Sequence, residues 1–219
     1  MKKVFLLSFA MMLLVGFAHA QFFEGYVRYV HNLEITDTTL QKKDFFLSYL
    51  LGSSSTLYIK GTNFHWKFAG CQMESQIYLS SSNTIYEKFP KKDTLFTSPA
   101  GVADEIILKD ELKPSKVEVL GNKCQVLMLK SKFTKDNSVR GRIYYFAKKY
   151  PLHPDFMRKY KRNANDLVFG KVVYLPLRFT YVYPSFRITY HAVEVKETKV
   201  DEELFNVSKF PQKPLPTRK

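Results

Sequence analysis

"TLYIKGTNFHWKF", residues Thr56–Phe68, alternates apolar and polar positions on both sides of Gly61-Thr62. Phe64, Trp66 and Phe68 fall on one face of an extended chain, and His65 and Lys67 fall on the other. That period of two is the mark of a half-buried strand. Gly61-Thr62 supplies the tight turn, so the stretch reads as a β-hairpin. The same period runs outward in both directions. In "GYVRYVHNLEI" Val27, Tyr29, Leu33 and Ile35 face one way, with Arg28, Asn32 and Glu34 opposite. "CQMESQIYLSSSNTIYEKFPKKDTLF" holds two or three short strands, with turns at Ser81–Asn83 and Pro90–Asp93. "SKVEVLGNKCQVLMLKSKF" reads as a hairpin turning at Gly121-Asn122, with Cys124, Val126 and Met128 on one face of the departing strand. "VRGRIYYFA" and "KVVYLPLRFTYVY" follow, the latter with Val173, Leu175, Leu177, Phe179 and Tyr181 aligned. In the last long strand the apolar face is Phe186, Ile188, Tyr190 and Ala192, and then shifts to Val193 and Val195. A shift of one residue predicts a β-bulge.

Helices are few. Thr38-x-x-Gln41 is a capping-box pattern ahead of "LQKKDFFLSYLL". "LHPDFMRKYKR" spaces Leu152, Phe156 and Tyr160 four apart, which predicts a second short helix, and Asp201 caps a turn in "VDEELF". The fold class is therefore mainly β: a large curled antiparallel sheet with two or three short helices packed on one face. A sheet of so many strands must curl, split or close, and an open half-barrel meets that condition.

The first twenty residues pair Lys2 and Lys3 with an apolar stretch from Val4 to Phe17 and a small-residue site, Ala18-His19-Ala20. This is the pattern of a secretory signal cleaved after Ala20, and it predicts a soluble periplasmic or secreted protein. Residues 21–210 then form one domain and 211–219 a flexible tail. The formal charge is +14, or +12 without the two signal lysines. Such a surplus favours anionic surfaces. Export and dispersed lysines argue against nucleic acid.

Four stretches, "FFEGYVRY", "LYIKGTNFHWKF", "VEVLGNKCQVLML" and "AVEVKETKVDEELFNV", resemble in order and register a secreted Bacteroidetes family of the GLPGLI type, a domain of unknown function. Two departures stand out: His65-Trp66-Lys67 replaces an arginine-containing segment, and "VVYLPLRF" stands where the namesake motif would be. The resemblance implies a LolA/LolB-like lipoprotein-carrier fold, an open barrel with a helical lid around an apolar cavity. A lipid or lipoprotein ligand is then expected, and no cofactor.

Candidate chemistry is sparse. Cys124 has no local base, and the mature histidines are scattered, so neither a nucleophile nor a metal site is expected. An oxidising compartment and two cysteines favour a Cys71–Cys124 disulfide, which would stabilise by about 3–4 kcal/mol; two buried free thiols are the alternative. Asp104-Glu105, Asp110-Glu111 and Asp201-Glu202-Glu203 read as solvated turns and caps. Neither a nucleophile elbow nor a phosphate-cradling loop occurs, so no enzyme is expected. Phe64, Trp66, Phe68, Phe179, Tyr181, Phe186 and Tyr190 form either a ligand-binding surface or an ordinary filled core; the resemblance brings the first level with the second. Lys148, Lys149, Arg158, Lys159, Lys161 and Arg162 surround Leu152, Phe156, Met157 and Tyr160, as an amphipathic contact with an anionic membrane or as a solvated basic loop. The expected function is an exported, non-enzymatic binder of a hydrophobic or lipidated ligand. The alternative is a structural or protein-interaction module of the envelope with a packed core.

Overall fold

A computed structural model describes residues 22–37 and 52–216; the signal pattern and the Thr38–Gly52 helix expectation lie outside these, apart from Gly52 itself. The described chain forms twelve strands in one sheet: β1 Gly25–Ile35, β2 Ser54–Lys60, β3 Asn63–Ala69, β4 Ser75–Leu79, β5 Thr84–Lys88, β6 Leu95–Pro99, β7 Glu105–Val119, β8 Asn122–Phe133, β9 Val139–Pro151, β10 Tyr174–Val182, β11 Phe186–Glu197 and β12 Gln212–Pro214. The order is β12-β6-β5-β4-β3-β2-β1-β11-β10-β9-β8-β7. Two antiparallel meanders, β1–β6 and β7–β11, are thus zipped together by β1 and β11. The sheet curls without closing, which is the open half-barrel expected. No helix among the described residues is long and apolar enough to cross a membrane.

The β1–β11 seam shows how sequence sets register. Arg28 pairs with Glu194 and Tyr29 with Ala192, so Val193 is left over as the expected bulge. The bulge turns Val193 outward, 41% exposed, while Val195 packs on the core. At the start of the seam Gly25 has φ +155°, and a Cβ there would lie 2.0 Å from the Lys196 carbonyl oxygen. Only glycine allows the two strands to approach so closely.

The β2–β3 turn falls at Gly61-Thr62 as predicted. The β7–β8 turn is one residue earlier than predicted. Val119 pairs with Asn122, leaving Leu120 and Gly121 as a two-residue turn with φ of 50° and 69°. Both central residues are left-handed, the geometry that matches strand twist. Asn122 stabilises the turn from its end, donating from Nδ2 to the Leu120 carbonyl at 2.8 Å.

The segment Leu152–Val172 fills one end of the half-barrel. Leu152, Phe156, Met157, Tyr160, Val168 and Phe169 are all buried against strands of both meanders. Phe156 sits 6.5 Å from Phe64 and 5.3 Å from Phe169, and Phe169 is 6.1 Å from Phe146. The helix predicted at Leu152–Arg162 is absent. Phe156 N donates to His153 O at 2.8 Å and Tyr160 N to Met157 O at 2.9 Å. These are successive three-residue turns, interrupted by Met157 in the left-handed region at φ 58°. The single described α-helix, α1, lies further on at Asn165–Lys171.

The expected disulfide is not formed: Cys71 and Cys124 are not bonded to each other. Cys71 follows β3 and Cys124 lies on β8, so β2, β1, β11, β10 and β9 stand between them in the sheet. Covalent closure needs Cα atoms within about 7 Å. Asp201 caps the turn Glu202–Phe205 as predicted, and part of the segment expected as a tail is ordered. Gln212–Pro214 pairs in parallel with β6. Upstream, Phe205, Val207 and Phe210 cover Ile77, Tyr86 and Leu95 on the outer face.

This strap explains His65, which the alternation placed on the polar face. It is 7% exposed. Burial, and then the charge of Lys67, lower its pKa to about 4. The folded chain therefore refuses a proton that the unfolded chain accepts near pH 6.5. Above that pH both states are neutral; between pH 6.5 and 4 only the unfolded state gains the proton. Stability should fall across that window by on the order of 3 kcal/mol. Urea unfolding at pH 7.5 and 4.5 should show the drop, and His65→Gln should lack this part of it.

Candidate ligand-binding cavity

Beside the Leu152–Val172 plug, which contributes Arg162 and Asn163 to it, the half-barrel holds an open cavity of about 840 Å³. Its walls come from the two meanders. Trp66 and Phe68 on β3, Gln76 on β4, Glu87 on β5 and Phe96 on β6 form one side, with Phe89 beside them. Tyr181 on β10, Ile188 and Tyr190 on β11, and Tyr183 form the other. Alternation builds both walls, because every second side chain of a strand points to the same face. Arg162 and Asn163 enter from the plug, while Cys71, Met73, Lys92, Lys135, Leu215 and Pro216 complete the lining.

Ring packing holds the walls in shape. Trp66 stacks on Phe68 at 5.1 Å and meets Tyr190 at 5.8 Å. Phe179 stacks beneath Tyr190 at 4.5 Å with 12° between planes. Burial raises the phenol pKa values of Tyr181 and Tyr190, so both stay protonated and uncharged at physiological pH.

Of the seven predicted aromatic positions, Trp66, Phe68, Tyr181 and Tyr190 line the cavity. Phe64 and Phe179 lie in the core behind it, 1% and 4% exposed. Phe186 stacks on Tyr183 at 4.5 Å, outside the lining. The seven positions thus divide between a packed core and a cavity wall that adjoin on one sheet. Tyr183 and Ile188 extend alternations already visible in sequence. Glu87, Gln76 and Arg162 carry no such signal, since they meet only in the fold.

Those three form a hydrogen-bonded polar cluster in the wall. Arg162 Nη1 donates to Glu87 Oε1 at 2.7 Å, and Gln76 Nε2 donates to the same oxygen at 3.1 Å. Tyr160 donates to Gln76 Oε1 at 3.3 Å. Arg162 is therefore drawn inward, away from the predicted membrane-contact cluster. Lys148, Lys149, Arg158, Lys159 and Lys161 stay exposed. The apolar side chains between them are buried in the core, leaving no apolar face for a membrane to receive.

Neither a family model nor a curated protein matches this chain. Among solved structures, the Mycobacterium tuberculosis lipoprotein LppX is similar over 81% of this chain and 89% of its own, at 9% identity and a TM-score of 0.33.

A buried ion pair fixes the inner rim of the cavity. Arg142, 2% exposed, donates to Glu105 from Nη2 and to the Asn163 carbonyl from Nη1. Asn163 N donates in turn to Asp104 Oδ1 at 2.5 Å. The Asp104-Glu105 pair, read in sequence as a solvated turn, instead ties edge strand β7 to the plug. Asp110-Glu111 likewise lies within β7, and Lys171 on α1 bonds Asp110 at 2.6 Å. Removing one partner of a buried pair leaves a charge uncompensated, which costs about 3–5 kcal/mol.

Two outcomes follow from this geometry. Arg142→Ala should lose about 3–5 kcal/mol in urea unfolding, and Arg142→Met with Glu105→Leu should recover much of the loss. Maleimide should label Cys71 in the folded protein and Cys124 only after unfolding. Because burial raises the Cys71 pKa above 9.0, its labelling rate should keep climbing through pH 9.

Proposed function

We propose that this protein binds a hydrophobic or lipidated ligand, without covalent chemistry, as a carrier or holder in the cell envelope. The observation that carries this reading is the open end of the half-barrel. Seven aromatic residues (Trp66, Phe68, Phe89, Phe96, Tyr181, Tyr183 and Tyr190) surround about 840 Å³ of unfilled space. That volume lies within the usual range of ligand cavities, about 300–1,000 Å³. At about 30 Å³ for each water-sized group, it holds on the order of 25–30 non-hydrogen atoms, the size of a single-chain lipid. The envelope assignment rests on the signal pattern of the first twenty residues.

A second reading, an interaction module, has one observation of its own. Strand β7 is a sheet edge and exposes Ile106, Leu108 and Leu112, each between 44% and 53%. An unpaired edge can accept another strand. Pro114 and the lysines along β7 oppose such pairing, so the cavity reading is preferred.

Trp66 is the single tryptophan and stands in the cavity wall, so its fluorescence reports occupancy. Monoacylglycerols with chains of eight to sixteen carbons, each kept below micelle formation, should bind saturably. Each added methylene contributes about 0.8 kcal/mol, about fourfold in Kd, until the cavity is full. Absence of saturable binding across the series would overturn the reading.

A further inference from the structure

We propose that the ligand is an anionic amphiphile, its carboxylate or phosphate head held at the cavity mouth by Lys92 and Lys135. This rests on the cavity reading above and adds the chemistry of the head group. The charged groups lining the cavity are Lys92, Lys135, Arg162 and Glu87. Glu87 is 3% exposed and already engaged by Arg162 and Gln76. This internal pair cancels, and the lining keeps two positive charges.

Both lysines are exposed, and neither forms an ion pair with a carboxylate among the described residues. The nearest acid in sequence to Lys135, Asp136, is occupied: Ser138 N donates to it at 2.9 Å, and Arg140 lies 3.9 Å away. Lys92 comes from the β5–β6 connection and Lys135 from the β8–β9 connection, so the two meanders each contribute one cation to the same mouth. Behind them seven aromatic residues share the walls with Gln76, Asn163 and the Arg162–Glu87 pair, and a charge at such a partly enclosed mouth is screened less than in open water. An ammonium is a compact point charge suited to carboxylate or phosphate. Aromatic wall surface with a cationic mouth orients an amphiphile chain inward and head outward.

The test compares ligands with one twelve-carbon chain and different heads: dodecanoate, dodecyl phosphate, dodecanol and dodecyltrimethylammonium. Kd values come from Trp66 fluorescence and calorimetry at low salt. We expect the two anions to bind at least tenfold tighter than dodecanol, with the cation weakest. In Lys92→Glu with Lys135→Glu, the ratio of dodecanol to anion Kd should collapse to within twofold. Lys92→Gln with Lys135→Gln serves as a milder pair, and melting curves confirm folding of both. The two anionic probes separate a fatty acid from a phospholipid head. Dodecanol binding as tightly as both anions would overturn the head-group assignment while leaving the cavity reading intact. Failure of all four probes would overturn both. Inorganic phosphate matching dodecyl phosphate would overturn the amphiphile and point to a free-anion site.

Discussion

The pairing of β1 with β11 is the constraint on which the rest of this structure depends. Each meander is local, built from hairpins that need little more than adjacent chain. Neither meander alone encloses anything. The seam joins residues 25–35 to residues 186–197 and makes one surface long enough to curl. The cost is the loop-closure entropy of ordering so much chain, and contacts of such sequence separation form late. Gly25 and the Val193 bulge are the two local devices that let the seam meet in register. Side chains from both meanders, Phe64 with Tyr78 and Phe179 with Tyr144, then converge on a single core.

Curling creates an interior, and the plug decides how much of it remains. Leu152–Val172 occupies one end with side chains packed as in any core, so its affinity for the sheet is ordinary hydrophobic burial. Midway along it, Arg162 and Asn163 turn toward Glu87, Asp104 and Arg142. A buried guanidinium needs hydrogen-bond compensation, and Glu105 and the Asn163 carbonyl give it to both terminal nitrogens of Arg142, though not to Nε. This polar cluster lies where the plug meets the cavity through Asn163. The cavity is therefore bounded on one side by the middle of the plug, through Arg162 and Asn163, whose charges and polar groups are largely satisfied among their neighbours.

Much of this was legible in the chain. Period-two alternation located the strands, Gly61-Thr62 marked its turn, and the phase change after Ala192 located the bulge. Trp66, Phe68, Tyr181 and Tyr190 were named for the wall from the same periodicity. The failures share a cause. Leu120 took a left-handed turn position that propensity assigns to Asn122, because Asn122 could stabilise the turn from outside it. Leu152, Phe156 and Tyr160 have helical spacing, yet the same residues bury equally well on a chain of tight turns. His65 looked exposed because a strand pattern cannot show that a segment 140 residues later lies across it. Cys71 and Cys124 were paired by compartment and count, and neither quantity contains the sheet order. Local periodicity reports which way a side chain points; it carries no information about what arrives from elsewhere to cover it.

The short strand β12 gains a different significance from its direction. Leu95 N donates to the Pro211 carbonyl and Leu215 N donates to the Thr97 carbonyl, both at 2.9 Å. Residues 211 and 215 thus bond inward, and alternation turns the backbone of Gln212 and Pro214 to the outside of the sheet. Proline has no N–H to offer there. At the far side, β7 carries Pro114 and two interruptions of register. An open sheet has two places where a neighbouring molecule could continue it, and repeated continuation yields a fibre. Here each end of the ladder carries a proline, and β7 two breaks of register besides, so continuation of the open sheet is hindered at both edges.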